Sequence, residues 1–268
     1  MAKEVVFEKY VAAGNDFIVF DNRKGLVKDG AKIAKKLCDR KFGVGADGTL
    51  LLETSKKADV RMRIFNPDGS QAEMCGNGVR CLAHFAVAHK VAKPEHTVET
   101  GAGLIRAQVS GNIVKAKLTE PDGLKLNIPL QVNGHAEKIH FINTGVPHAV
   151  IVDEKLDTVD VESRGQAVRR HSHFAPKGTN VNFIRRTSSG IDVRTYERGV
   201  EGETLACGTG STASALVASS LFGFASPVRV KTAGGETLKV YFKKNGPRFS
   251  EVLLEGPVTA SFKGSVQL

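Results

Sequence analysis

Hydrophobic and polar residues alternate in several segments of the chain, a pattern typical of β-strands with one buried face. The segments Val5–Phe7 and Phe17–Phe20 predict two strands, which are joined by a turn at Ala13–Asp16. Arg61–Phe65 alternates in the same way and ends at Asn66–Ser70, a strong turn signal. Short alternating segments separated by glycine and asparagine follow residue 100, so the pattern predicts many short strands.

Three segments have the spacing of helices instead. In Gly30–Cys38 the apolar residues recur on one face. The segment that follows Cys75 is apolar around much of its circumference, and Ser211–Phe222 is almost uncharged. A helix without a polar face must be surrounded by other elements, so we expect each of these two helices to be enclosed by a sheet.

The two apolar helices open with near-copies of one motif. Cys75–Gly78 reads Cys-Gly-Asn-Gly, and Cys207–Gly210 reads Cys-Gly-Thr-Gly. In each case a Thr-containing glycine turn begins 25 residues later, at Thr100 and at Thr232. The chain is therefore predicted to consist of two related halves, each with one thiol at the start of a buried helix.

The repeat predicts two domains. We expect an N-terminal domain at residues 1–120, completed by residues 258–268, and a C-terminal domain at residues 121–257. Pro121–Gly123 is the best candidate for the linker between them.

Length and composition are those of an ordinary globular protein, with 268 residues, 41% hydrophobic and 25% charged. The chain has no apolar run long enough for a signal peptide or a membrane span. Four cysteines are too few for a secreted scaffold held together by disulfides. We therefore expect a cytoplasmic protein with no membrane partner, in which Cys75 and Cys207 remain thiols.

The net charge of +10 raises the alternative of a basic binding protein. The positive residues are scattered, aromatic residues make up 6% and tryptophan is absent, so a surface for stacking nucleic-acid bases is poorly supplied. A non-catalytic binding protein would also leave the paired Cys-Gly motifs unexplained. We expect no nucleic-acid partner and a small-molecule ligand, which a positive surface would attract if it is anionic.

A thiol at the N-terminus of a helix is exposed to the positive end of the helix dipole, which favours the thiolate. The glycines that follow let a ligand approach the backbone, and helix N–H groups bind carboxylates. Two such thiols on opposite faces of an α-carbon could remove a proton on one side and return one on the other. A lone cysteine beside glycine is more often a packing residue, but the duplication argues against that reading.

Other site types fit the sequence poorly. A zinc site lacks paired Cys-x-x-Cys or His-x-x-x-His ligands, and the glycine-rich Gly43–Gly48 lacks the Gly-Lys-Ser/Thr of a phosphate loop. Cys38 and Cys81 have no counterpart in the other half, and we interpret both as core residues.

Several further motifs occur in one order along nearly the whole chain, and with them the sequence resembles diaminopimelate epimerase. These motifs are Gly14–Phe17, Gly45–Gly48, Asn66–Ser70, Met74–Arg80, Asn143–His148, Gly178–Phe183, Tyr196–Gly199 and Leu205–Gly210. The resemblance implies an α+β fold of two pseudo-symmetric domains, each a curved, mostly antiparallel sheet or barrel around a central apolar helix. It also implies a cytoplasmic homodimer of lysine and peptidoglycan precursor biosynthesis that uses neither pyridoxal phosphate nor a metal.

The resemblance further implies that Cys75 and Cys207 are the catalytic acid and base. His148 and Glu197 are implied to support catalysis near the reacting ammonium group. The substrate-binding residues that it implies are Asn15, Asn66, Gly76, Asn77, Asn182, Glu197, Arg198, Gly208 and Thr209.

At two positions this chain lacks a polar side chain that other members of the family have available to contact the substrate. Gly48 stands where some members have glutamine, and Val146 stands where many have asparagine. The nearest alternative keeps the two-thiol chemistry but acts on a simpler amino acid, such as a proline derivative or histidine. Glu197 and Arg198 argue against that alternative, because a substrate with one amino acid group needs no such distal contact.

Overall fold

The computed structural model describes residues 4–267 as two compact units. Unit 1 extends up to Ala116 and resumes at Gly256, and unit 2 is Lys117–Glu255. A strand crosses each of the two borders between these units, the first at Ile113–Lys117 and the second at Arg248–Pro257. The domain limits expected from the sequence, 1–120 with 258–268 and 121–257, therefore stay a proposal.

The elements of unit 1 are nine strands and two helices among the described residues. The strands are β1 (Glu4–Ala12), β2 (Asn15–Asp21), β3 (Gly48–Glu53), β4 (Val60–Phe65), β5 (Gln71–Ala72), β6 (Glu95–Thr100), β7 (Gly103–Ser110), β8 (Ile113–Lys117) and, from the C-terminal segment, β18 (Thr259–Gln267). The helices are α1 (Gly30–Leu37) and α2 (Gly76–Ala88).

Unit 2 contains the remaining elements. Its strands are β9 (Asp122–Val132), β10 (His135–Asn143), β11 (Pro147–Val152), β12 (Asn180–Thr187), β13 (Gly190–Glu197), β14 (Gly202–Thr204), β15 (Val228–Lys231), β16 (Thr237–Asn245) and β17 (Arg248–Pro257). Its helices are α3 (Val161–Arg169) and α4 (Gly208–Phe222), with short 3₁₀ turns at Leu156–Thr158 and Ser172–Phe174. Within residues 4–267, no helix combines the length and the apolar character needed to cross a membrane.

The strands of the two units are hydrogen-bonded in the same spatial order. In unit 1 the order is β18-β1-β2-β3-β4-β6-β7-β8, with β5 added to β4. In unit 2 it is β9-β10-β11-β12-β13-β15-β16-β17, with β14 added to β13. All of these pairings are antiparallel except β2/β3, β4/β6 and their counterparts β11/β12, β13/β15. The match confirms the predicted pseudo-symmetry and the α+β class.

The helices that follow the two cysteines are largely buried, as predicted from their apolar surfaces. Ten of the 13 residues of α2 and 11 of the 15 residues of α4 are buried. In unit 1, Leu82 and Phe85 of α2 pack in one cluster with Leu50 and Ile64 of the sheet. Each helix is therefore anchored by its own sheet, which fixes the position of the residues at its N-terminus.

Helices α1 and α3 are also equivalents in the repeat, and each lies closely against an aromatic residue. A Cβ on Gly30 of α1 would be 2.3 Å from the ring of Phe65, and one on Gly165 of α3 would be 2.5 Å from Tyr196. Phe65 is the last residue of β4 and Tyr196 the penultimate residue of the corresponding strand β13. The two close contacts therefore extend the repeat to a helix that the sequence analysis does not predict, α3.

Candidate active site

Cys75 is the N-cap of α2. Its backbone is extended, with φ −143° and ψ 123°, and its Sγ accepts a hydrogen bond from the Gly78 backbone N–H at 3.4 Å. The half-buried sulfur therefore occupies the place where a serine or aspartate oxygen usually caps a helix. A negative charge on that sulfur would be stabilised by both the N–H group and the helix dipole.

Asn15 connects Cys75 to a group of charged residues in unit 1. The Cys75 Sγ lies 3.8 Å from Asn15 Oδ1, and Asn15 Nδ2 donates to Asp47 Oδ2 at 2.7 Å. Arg40 donates to Asp47 Oδ1 and to Asp16 Oδ1, both at 2.8 Å. Burial by itself would raise the pKa of Asp16, but hydrogen bonds from Arg40 and Lys9 outweigh it and lower the pKa to about 2.

The two other predicted polar residues of unit 1 make local contacts. Asn77 is buried, and its Oδ1 accepts a 2.7 Å bond from the fully buried Arg80. Its side chain is thus held within α2, while its backbone N–H belongs to the first turn, where such groups have no partner inside the helix. Asn66 donates to the Ser70 hydroxyl at 2.9 Å, so these contacts lie within its own turn.

Cys207 occupies the equivalent N-cap position of α4 in unit 2. Its backbone is again extended, the residue is 7% exposed, and its Sγ lies 3.4 Å from the Thr209 hydroxyl. The Thr209 carbonyl accepts a 3.1 Å bond from the hydroxyl of Thr144. The thiol therefore has a hydroxyl neighbour that can donate or accept, on a helical turn that is fixed by a buried threonine.

Asn182 is fully buried and its amide is used within unit 2. Its Nδ2 donates to His148 Nδ1 and to the Ala149 carbonyl, both at 3.1 Å, and its Oδ1 accepts from Thr195 at 3.0 Å. With both N–H groups of the amide occupied, Asn182 has the contacts of a residue that positions His148. Asn182 also leaves no room for a side chain at position 210 of α4, because a Cβ on Gly210 would lie 2.4 Å from Asn182 Oδ1.

His148 is held as a neutral donor by this arrangement. The Ala149 carbonyl requires the amide nitrogen of Asn182 on that side, so His148 Nδ1 accepts and the proton lies on Nε2. Burial, with a smaller effect from the positive charge of Arg198, lowers the pKa of His148 to about 3. Nε2 is buried and has no hydrogen-bond partner among the described residues, which leaves one N–H to offer a ligand.

The low pKa of His148 predicts that acid weakens the folded state. The unfolded chain takes up a proton near pH 6.5 and the folded protein only near pH 3, so this contribution is complete above pH 6.5 and is lost as pH falls. By pH 5 the loss is about 2 kcal/mol from this group. We expect His148→Gln to lose less stability than the wild type between pH 7.5 and pH 5 in urea unfolding. His135→Gln, at an exposed position, is the control, and an equal loss in all three proteins would contradict the prediction.

Asn180, which the sequence analysis does not select, fixes the position of Arg198. Its Oδ1 accepts from the Arg198 backbone N–H at 2.9 Å, and its Nδ2 donates to the Pro147 carbonyl at 3.0 Å. It therefore joins the strand of His148 to the segment of Arg198. Its place in the same motif as Asn182 is the only sequence signal that could have indicated it. In the same region, the Glu197 carboxylate accepts a 3.1 Å bond from Thr204.

In each unit, a glycine packs closely against the segment that precedes the cysteine. A Cβ on Gly101 would lie 2.9 Å from the Cα of Glu73, and one on Gly234 would lie 3.3 Å from the Cβ of Leu205. Glu73 and Leu205 each stand two residues before a cysteine. The repeated 25-residue interval thus returns the chain, after a helix and a strand, to the loop that carries the thiol.

Two departures from the family pattern have different surroundings. A Cβ on Gly48 would lie 3.1 Å from the Phe65 carbonyl and 3.3 Å from the ring of Phe17, so a larger residue there needs a local shift. Val146 precedes β11 and is half-buried. Within the described part of the chain, no group of three or more His, Cys, Asp or Glu side chains is arranged to hold a metal ion.

The sequence matches a family model and full-length relatives of the same description. The family model described as "Diaminopimelate epimerase" matches residues 7–121 and 140–260. A diaminopimelate epimerase of Hydrogenobaculum sp. (strain Y04AAS1) is 46% identical, and the match covers 97% of this chain and 98% of the relative. One from Chlorobaculum tepidum is 42% identical over 96% and 99% of the two chains.

Solved structures with this fold are distant in sequence. A phenazine biosynthesis protein of the PhzF family from Bacillus anthracis superposes with a TM-score of 0.79 at 18% identity, covering 99% and 100% of the two chains. A probable proline racemase from Agrobacterium radiobacter superposes with a TM-score of 0.72 at 15% identity, covering 98% and 92%. At these identities the similarity concerns the fold alone.

Proposed function

Because this chain belongs to the diaminopimelate epimerase family, we propose that it is an isomerase that interconverts LL- and meso-diaminopimelate. The observation that carries the proposal is the duplicated cap. Each unit has a cysteine as the N-cap of a buried helix whose first residue is glycine. The product would serve lysine and peptidoglycan precursor biosynthesis, the pathway in which diaminopimelate is used.

The chemistry is proton exchange at one carbon. One cysteine as thiolate takes the proton from the α-carbon, and the electron pair of the C–H bond passes to the substrate, where the α-carboxylate delocalises it. The other cysteine as thiol donates its proton to the opposite face of the same carbon. The configuration is inverted and the two sulfurs exchange roles, so Cys75 and Cys207 act as an acid/base pair.

The reacting carboxylate suits the N-termini of α2 and α4. The backbone N–H groups of Gly76, Asn77, Gly208 and Thr209 lie in the first turns of these helices, which lack partners within the helix. Negative charge develops on that carboxylate as the proton leaves, so these groups would stabilise the transition state more than the ground state. We place His148 beside them as a neutral N–H donor, with Asn182 holding its ring.

The distal end of the substrate carries a second ammonium and a second carboxylate. Asn15 lies 3.8 Å from the sulfur of Cys75, so we assign it to the reacting end. We propose that at the distal end Arg198 pairs with the carboxylate, Glu197 pairs with the ammonium group and Asn66 offers its amide to either. Such contacts are remote from the reacting carbon and would select a substrate with two amino acid groups.

We also propose a cytoplasmic homodimer. The mechanism requires two cysteines that stay reduced, which fits a reducing compartment. The dimer follows from the family resemblance, and light scattering on the purified protein would measure its mass.

The reaction is tested by incubating the purified protein with LL-diaminopimelate in deuterated water, without added pyridoxal phosphate or metal. We expect meso product with one deuterium at the inverted carbon, because the donor thiol exchanges its proton with solvent. Chiral chromatography and mass spectrometry measure both. Proline, hydroxyproline and histidine serve as control substrates. Turnover of one of these, with none of LL-diaminopimelate, would contradict the substrate assignment.

A further inference from the structure

The motif Gly45–Gly48 has no role in the reaction described above, yet its carboxylate, Asp47, is connected to Cys75 through one amide. Asp47 is fixed on the surface of unit 1 by two backbone bonds. Its N–H donates to the Asp16 carbonyl at 2.9 Å, and its Oδ2 accepts from the Asp16 N–H at 3.2 Å. The other oxygen, Oδ1, accepts from Arg40 at 2.8 Å. Hydrogen bonds therefore fix the positions of both carboxylate oxygens of Asp47.

The position of Asp47 dictates which way round the Asn15 amide must be. A carboxylate only accepts hydrogen bonds, so the amide nitrogen of Asn15 must face Asp47, at 2.7 Å. The amide oxygen then faces the sulfur of Cys75, at 3.8 Å. An oxygen in that place accepts a bond from S–H and repels a thiolate, whereas an N–H group would do the opposite.

We propose that Asp47, oriented by Arg40, is a positioning residue that keeps the Asn15 oxygen towards Cys75. That oxygen outweighs the Gly78 N–H and the helix dipole, and so holds Cys75 as the thiol in the substrate-free protein. In that state Cys207 is the base and Cys75 the proton donor, which suits the isomer whose α-proton faces Cys207. This assignment deepens the proposed function and rests on it. The amide orientation that underlies it can be tested without substrate.

The substitution Asp47→Asn should reverse the amide. The new side chain would give up the 3.2 Å bond from the Asp16 N–H but keep its oxygen on the charged Arg40, which makes the shorter and stronger bond, so its NH₂ group would face residue 15. The Asn15 oxygen would turn to accept from it, which brings the Asn15 NH₂ group to the sulfur. A donor stabilises the thiolate, which is the form that reacts with alkylating reagents.

The experiment is timed alkylation by iodoacetamide at pH 7, with each cysteine quantified by mass spectrometry after trypsin digestion. Cleavage after Arg63 and Arg80 isolates Cys75, and cleavage after Arg198 and Arg229 isolates Cys207. We expect Asp47→Asn to increase the rate at Cys75 about tenfold and to leave the rate at Cys207 unchanged.

The double variant Asn15→Asp with Asp47→Asn distinguishes a reversed amide at residue 15 from a general loosening of the fold around Cys75. It exchanges the two side chains, so that an oxygen faces Cys75 again while the new amide at position 47 can still donate to residue 15 and accept from Arg40. We expect the rate at Cys75 to fall to the wild-type value or below it, because a carboxylate repels the thiolate at least as strongly as an amide oxygen does. Asp21→Asn is the matched control, since Asp21 pairs with Arg23 at 2.7 Å at the opposite end of β2.

Three results would overturn the proposal. These are an unchanged rate at Cys75 in Asp47→Asn, a rate that stays high in the double variant, or equal increases at Cys75 and Cys207. The last two would indicate a general loosening of the fold. None of them depends on turnover of diaminopimelate, so failure of this proposal and failure of the proposed function remain distinguishable.

Discussion

We expect Cys75→Ser and Cys207→Ser each to lower the rate of epimerisation about 10³-fold, the scale of general acid–base catalysis. A serine hydroxyl is a far weaker acid than a thiol, so it supplies neither a base nor a donor of the required strength. The replacement is nearly isosteric at both N-cap positions, and serine is a good cap. Thermal unfolding should therefore change little, and kcat for LL- and meso-diaminopimelate measures the effect.

Cys38 provides the control for this comparison. It is buried in unit 1, its Sγ lies 3.5 Å from the Thr49 hydroxyl, and burial raises the pKa of its thiol. Cys38→Ser can keep a bond to Thr49 and should retain nearly full activity. Wild-type rates in either Cys75→Ser or Cys207→Ser would end the two-thiol mechanism, and an equal loss in Cys38→Ser would show a non-specific effect.

The second large effect is expected from Gly210→Ala. The new Cβ would lie 2.4 Å from Asn182 Oδ1 and 3.2 Å from the Cβ of Cys207, so one of them must move. The Asn182 amide is held by three hydrogen bonds and carries His148. We expect a loss of kcat of about 100-fold, the cost of misplacing reacting groups by about 1 Å, and a destabilisation of about 2 kcal/mol. Steady-state kinetics and urea unfolding measure the two effects.

Gly78 is the matched control, because it holds the same place in the first motif. A Cβ there would lie 3.3 Å from the end of the Leu50 side chain and 3.4 Å from the Cβ of Cys75. Leucine can move by a few tenths of an ångström, so Gly78→Ala should lose less than about tenfold in kcat. Equal losses in both variants would contradict the role given to Asn182.

Much of this fold could be predicted from local sequence. The lack of charge on α2 and α4 predicts burial on all sides, and the repeated Cys-Gly motifs predict two related halves. Helix α3 could not be predicted in this way, because only Val161, Gly165 and Val168 are buried along its length. It becomes predictable only through the repeat, since Gly165 corresponds to Gly30 of α1.

The sites were harder to predict where roles depend on contacts between distant segments. Asn182 and Asn180 lie in one motif and look equivalent in sequence. Only the fold distinguishes them, since one supports His148 from within the sheet and the other holds the backbone of Arg198. Asp47 is 32 residues from Asn15, so no local pattern connects the two.

The close packing of Gly101 and Gly234 against the cysteine loops limits where the chain can gain or lose residues. Each residue inserted within α2 or α4 would lengthen the helix by about 1.5 Å and rotate the rest of the chain by about 100°, which would carry the glycine turn away from its loop. Hairpin tips such as Gly111 and Gly246, where a Cβ would meet nothing within 4 Å, carry no such constraint. Length differences between this chain and its relatives should therefore collect at the hairpin tips, and a tag or label can be inserted there without disturbing either thiol.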